Sequence, residues 1–221
     1  MKAGTDALLL GNWIPTLSIQ PAYILDAGTG NGILSLLLAR QYPHAQITAV
    51  DIDVDAVKCA AFNFSNSLWH DRLKAIQVNI EDLQMEKAFD LVVTNPPFYQ
   101  QGMLSPSEKN NVRKHATFSL KKWIASFRFN MKAEGYLAMI IPYRDAGSWI
   151  AACNENGLFV CTRMNVQSYA FEEPVRSLLL MSHQIIRPSI YDMVIYEKAG
   201  QHTEAFLELA GNPGTDEKEK R

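Results

Sequence analysis

The chain has 221 residues, 48% hydrophobic and 20% charged, and a formal net charge of −2, which suits one ordinary globular domain and offers no whole-protein attraction for a polyanion. Three widely spaced cysteines, Cys59, Cys153 and Cys161, argue against a disulfide framework and a zinc site, and for a reduced, cytoplasmic setting without a metal. The opening residues lack a secretory leader pattern and no apolar run approaches the roughly 18 residues of a membrane span, so no membrane partner is expected.

Tyr23-Ile24-Leu25 reads as a first strand that closes on Asp26 and a glycine loop, after which Ile33 to Arg40 carries leucines at helical spacing. Ile47 to Val50 is a second strand ending on Asp51, and Asp53 stands where a helix through Ala60 to Phe64 needs its N-cap. Leu73 to Val78 and Phe89 to Val93 are the next strands, the latter ending on Asn95-Pro96-Pro97. Leu120 to Met131 reads as a helix, Tyr136 to Ile141 as a strand stopped by Pro142, and Ala146 to Asn154 as a helix. Strands near Phe159 to Val166 and Ser177 to His183 complete the series. The alternation predicts an α/β fold over residues 1–210, with a mostly parallel seven-stranded sheet and helices on both faces. In such a sheet the ligand lies beyond the carboxyl ends of the strands, at the point where strand order reverses. The polar, charged residues 211–221 read as a flexible tail.

Two segments at strand ends carry chemistry. Asp26-Ala27-Gly28-Thr29-Gly30-Asn31-Gly32 lets backbone approach a ligand without a Cβ in the way. Its spacing is G-x-G-x-G with an acid just before, whereas a dinucleotide loop wants G-x-G-x-x-G and would place Asp26 against a pyrophosphate. Asp51 is placed to accept the hydroxyls of a ribose, with Ile52 beside it, because Asp53 is the better helix cap. After the third strand, Asn79 or its rival Asp82 could accept from an adenine amino group.

In Asn95-Pro96-Pro97-Phe98 the two prolines cannot continue a central strand and so hold a stiff turn at its end. The Asn95 amide oxygen and the Pro96 carbonyl can accept hydrogens from an NH2 group, and Phe98 offers a flat face for stacking. An exocyclic amine has its lone pair delocalised into the ring. Two acceptors gripping its hydrogens turn that pair outward toward an electrophilic methyl group.

With these motifs in place, the chain resembles the class I, Rossmann-like N-methyltransferases that carry Asn-Pro-Pro-aromatic. It is similar in particular to bacterial enzymes that methylate adenine N6 at position 37 of a valine tRNA. The resemblance implies S-adenosyl-L-methionine as cofactor, whose cationic amino-acid end suits Asp26. Lys2 to Gly11 resembles the family's K-V-G-T-D-G-x-L-L-G stretch, which places Lys2 and Thr5 at one side of the cofactor. Ser67-Leu68-Trp69-His70-Asp71-Arg72 resembles its S-P-W-x-x-R segment, NPPFYQQG its catalytic loop, Arg113-Lys114-His115 its A-R-H element, and Glu204-Ala205-Phe206 its terminal helix. Phe98, Tyr99, Arg113 and His115 are then the expected contacts to tRNA, made by a monomer.

From Ser105 to Lys132 seven basic residues (Lys109, Arg113, Lys114, Lys121, Lys122, Arg128, Lys132) face the single acid Glu108, which predicts a local positive patch for a phosphate backbone. Trp123 joins Phe98 and Tyr99 as an aromatic available for splayed bases. Arg176, after Glu172-Glu173-Pro174, could contact substrate but reads first as a surface ion pair. Open alternatives are release-factor glutamine or rRNA guanine N2 as methyl acceptor, an NAD-binding oxidoreductase, and a non-catalytic RNA-binding relic.

Overall fold

The computed structural model describes residues 3–96 and 119–211. Helix α1 spans Ala3–Trp13, and a 3-10 turn over Ile14–Leu17 leads to β1 at Tyr23–Ala27. Then come α2 (Ile33–Gln41), β2 (Gln46–Asp51), α3 (Val54–Ser65), β3 (Leu73–Gln77) and β4 (Phe89–Thr94). From residue 119 the order is α4 (Leu120–Asn130), β5 (Met131–Pro142), α5 (Ala146–Glu155), β6 (Phe159–Tyr169) and β7 (Arg176–Ser182). Strands β8 (Ser189–Lys198) and β9 (Gln201–His202) and helix α6 (Glu204–Leu209) close the described chain.

Among the described residues nine strands form one sheet, in the order β3-β2-β1-β4-β5-β7-β6-β8-β9. Every pairing from β3 through β5 is parallel, β7 runs antiparallel to β5 and β6, and β8 is again parallel to β6. The sheet is mostly parallel, as predicted, but the expected seven strands become nine. Strand β8 was unreadable because its first four residues are all exposed, which blurs the in–out alternation that marks a half-buried strand.

Alternate residues of each central strand feed two cores. Ile24, Leu91, Val93, Ile140, Leu178 and Leu180 pack under α1 and α2, and Leu25, Val92, Leu137, Ile141 and Leu179 pack under α4 and α5. Helices therefore cover both faces. Asp53 caps α3 by accepting from the Asp55 amide at 2.8 Å, as its position in the sequence implies. Arg72, in the segment resembling S-P-W-x-x-R, donates to the carbonyls of Ala39, Tyr42 and Ala45 and so closes the end of α2.

Strand order reverses between β1 and β4. Ala27 pairs with Thr94 at the carboxyl ends of those strands, and the Thr94 hydroxyl donates to the Ala27 carbonyl at 2.8 Å. The glycine loop and Asn95 thus leave the sheet side by side. Pro142, at the end of β5, pairs with Arg176, and Val166 pairs with Arg176 from the other side, so the β6–β7 turn lies along the same edge.

Candidate active site

The glycine loop is stitched from within. The amides of Gly28 and Thr29 both donate to the Val50 carbonyl, at 2.9 and 3.0 Å, and the Gly32 amide donates to Thr29 O at 3.0 Å. The Gly30 amide donates to Asp51 Oδ2 at 2.9 Å. Gly28, Gly30 and Gly32 all have positive φ, at 75°, 57° and 82°. Two of them do different work. A Cβ on Gly30 would meet nothing within 4 Å, which leaves that backbone open to a ligand. A Cβ on Gly32 would stand 2.5 Å from Phe64 Cε1, so this glycine serves the packing of the loop against α3.

Asp26 is buried at 1% exposure, and its Oδ2 accepts from the hydroxyls of Thr29 at 2.7 Å and Ser35 at 2.6 Å. Burial pushes its carboxyl up to about 6; the two hydroxyls oppose the rise and the neighbouring Asp51 carboxylate adds to it. A buried carboxylate held against its own desolvation is a fitting partner for a cationic group. Ser35 was not singled out in the sequence, although a lone serine in the run Ile33-Leu34-Ser35-Leu36-Leu37-Leu38 is a visible signal.

Asp51 ends β2, tying the glycine loop through Oδ2 and accepting from the Asp53 amide through Oδ1 at 3.0 Å. Ile52 beside it is 43% exposed, an apolar surface left uncovered at the site. Asn79 caps a 3-10 turn over Ile80–Asp82, its side-chain oxygen accepting from the Glu81 amide at 3.1 Å, while Asp82 is exposed. Lys122 of α4 lies 3.6 Å from Glu81, and Trp123 Cη2 lies 3.8 Å from where a Cβ on Gly28 would stand. The start of α4 therefore brings Trp123 to the glycine loop.

Asn95 emerges beside Gly28, with Pro96 buried behind it. Its Oδ1 is buried and has no hydrogen-bond partner among the described residues. An orphaned acceptor of this kind is unfavourable by about 1–3 kcal/mol and is rare in a folded chain, so it calls for an explanation such as a waiting ligand. Lys2, Phe98, Tyr99, Arg113 and His115 lie outside the described residues. Thr5 lines an apolar cleft of about 80 Å³ with Leu8, Leu9, Asn12, Phe206 and Leu209, between α1 and α6.

Two expectations change. Of the described basic residues in the predicted patch, Lys121 pairs with Glu155 at 3.0 Å, Lys122 with Glu81, and Lys132 with Asp90 at 2.7 Å. Asp90 also accepts from the Ala22 and Tyr23 amides, which places Lys132 at the amino edge of the sheet, away from Asn95. Lys121 and Lys122 open α4 and Lys132 opens β5 after it, so these three cations are spread apart and each is matched by an acid, while Lys109, Arg113 and Lys114 lie outside the described residues. Arg176, read as a surface pair, instead sits 17% exposed with its Nε 3.1 Å from both oxygens of Asp6, which is 1% exposed. Burial raises the Asp6 carboxyl and the Arg176 guanidinium opposes that rise. Among the described residues no group of three or more His, Cys, Asp and Glu side chains could hold a metal ion, and no helix is long and apolar enough to cross a membrane.

Residues 3–123 match the methyltransferase small domain family. The chain is 34% identical over 215 residues to the tRNA1(Val) (adenine(37)-N6)-methyltransferase of Haemophilus influenzae, covering 95% of this chain and 89% of that one. It is 33% identical over 210 residues to the protein of the same name from Phocaeicola vulgatus, covering 95% and 88%. Among solved structures it resembles one described as a predicted O-methyltransferase from Agrobacterium tumefaciens, with a TM-score of 0.72, 19% identity, and 93% and 95% of the two chains covered. A TehB-like SAM-dependent methyltransferase from Corynebacterium glutamicum shares the fold at a TM-score of 0.57 and 15% identity, over 80% and 88%. Matching along most of its length in sequence and in fold, the chain belongs to the methyltransferase small domain family.

Proposed function

We propose that this chain methylates the exocyclic N6 of an adenine in tRNA with S-adenosyl-L-methionine as donor, and that the target is the adenosine named for its relatives, position 37 of a valine tRNA. The observation that carries the reading is the buried Oδ1 of Asn95, unpartnered among the described residues, beside the glycine loop at the switch point. The residues around it fit the cofactor: an open glycine backbone at Gly30, a buried carboxylate at Asp26 for an ammonium group, and Asp51 at a strand end for ribose hydroxyls. When bound, the cofactor supplies a methyl group on a sulfonium, which needs no metal.

The chain's own part is positioning. Asn95 Oδ1 and the Pro96 carbonyl accept the two amino hydrogens, which weakens the conjugation of the nitrogen with its ring and aims its lone pair. As the nitrogen becomes positive, the same two oxygens stabilise it. A dinucleotide reading is less well supported, because the amides of Gly28, Thr29, Gly30 and Gly32 already donate within the protein and two carboxylates stand close by.

The test is incubation with methyl-labelled cofactor and tRNA, rRNA or release factor in separate reactions, followed by mass spectrometry of nucleosides. N6-methyladenosine in tRNA is expected. Label confined to rRNA guanine or to the release factor overturns the substrate assignment.

A further inference from the structure

Strands β6 and β7 are joined by Ala170-Phe171-Glu172-Glu173-Pro174-Val175, a turn that the register places on the same edge of the sheet as Asn95. At its tip Phe171 is 103% exposed, as bare as in an extended chain. The turn beneath it is well held. The Glu172 amide donates to Tyr169 O at 3.0 Å, Gln167 Nε2 donates to Glu172 O at 2.8 Å, and the Val175 amide donates to Val166 O at 2.7 Å. Its root is pinned by Arg176 on the buried Asp6. Behind it the Tyr169 ring lies 5.6 Å from Tyr196, which stacks on His202 at 4.8 Å, and His202 stacks on Phe206 at 4.8 Å. A fully uncovered aromatic on so firmly braced a support, at the edge that carries the candidate active site, has a flat face available to a ligand.

We propose that Phe171 is a second stacking point of the RNA site, taking the face of an unpaired nucleobase that flanks the methylated adenine. Neighbouring strands lie about 4.8 Å apart, so the turn stands roughly 10–14 Å along the edge from Asn95, two to three strands away. Stacked nucleotides advance about 3.4 Å each, which places the base within about four positions of the target. The occupant is a base and not a phosphate, because Glu172 and Glu173 directly follow Phe171 in the turn and repel a polyanion backbone. Unpaired loop bases stacked on aromatic side chains are a common way in which proteins read RNA.

The inference rests on tRNA as substrate, and one kinetic series separates the two claims. With full-length tRNA, Phe171→Ala is expected to raise KM for tRNA about 10-fold with kcat and the KM for cofactor nearly unchanged, in line with the loss of one stacked base. Phe171→Trp should restore the wild-type KM, and Phe171→Leu, apolar but without a flat face, should not. The 10-fold effect should also persist at raised salt. On anticodon stem-loop RNAs with one abasic position each, the difference between wild type and Phe171→Ala should vanish at a single flanking position. Wild-type protein that leaves tRNA unmethylated overturns both claims. Active wild type with an unchanged KM in Phe171→Ala, full rescue by Phe171→Leu, or an undiminished penalty at every abasic position overturns the stacking site alone. Because Phe171 is fully exposed and touches nothing among the described residues, thermal unfolding of all three variants should match wild type.

Discussion

Asp26 destabilises the fold in a way that can be measured. Its carboxyl rises from 3.8 to about 6 in the folded chain because burial penalises the ion. A raised folded pKa means that the native state holds its proton more tightly, so stability is fullest below pH 4 and is lost as the pH climbs through about 6. At about 1.4 kcal/mol per pKa unit, the difference amounts to about 3 kcal/mol at neutral pH. Asp26→Asn keeps an acceptor oxygen for Thr29 and Ser35 and carries no charge to desolvate. Without cofactor it should therefore match or fall slightly below wild type at pH 3.5 and exceed it at pH 7.5 by up to about 3 kcal/mol. For a chain of this length each kcal/mol moves Tm by about 2–4 °C, so circular dichroism melts at the two pH values resolve the effect. Isothermal titration at pH 7.5 should show the opposite sign for cofactor, with weaker binding because the cationic end has lost its counter-charge. A stability difference between variant and wild type that stays the same at both pH values would refute the reasoning.

Asn95→Ala is expected to lower kcat by about 10²–10³ with little change in cofactor affinity, since it removes an oriented acceptor at a developing charge. The same variant should unfold no more easily than wild type, because Oδ1 has no partner among the described residues to lose. Gly32→Ala should destabilise by about 2–4 kcal/mol in urea melts, combining a left-handed φ of 82° with a Cβ 2.5 Å from Phe64. Arg176→Met leaves the buried Asp6 carboxylate uncompensated and should cost about 3–5 kcal/mol at pH 7. That loss should shrink at low pH, where Asp6 is neutral, and adding Asp6→Asn should recover most of it. Asp51→Ala should weaken cofactor binding and also free the Gly30 amide, seen as faster hydrogen exchange there.

Much of the site could be read before any coordinates. Glycine spacing, an acid at a strand end and paired prolines are local features; the turns from β1 to α2 and from β2 to α3 stand where the first two mark them, and the proline pair runs on into residues outside the described ones. The interior helices and strands were legible for a related reason: a helix or strand covered on one side writes its period into the sequence. Helix α1 went unread because two glycines, Gly4 and Gly11, interrupt its eleven residues. Strand β8 went unread because its first four residues are bare on both faces.

Sequence alone determined the order of the interior elements from β1 to β7 and the chemical identity of the residues that follow β4, because both depend on residue type and near spacing. Only the tertiary structure decided which charges meet. Lys132 went to Asp90 and the opposite edge, Arg176 to a buried Asp6 that lies 170 residues away in the chain, and Asn95 was left with an acceptor that meets no partner among the described residues. Pairing over such distances follows from how the sheet is ordered and which edge each strand end reaches. A linear pattern of charges carries none of that information.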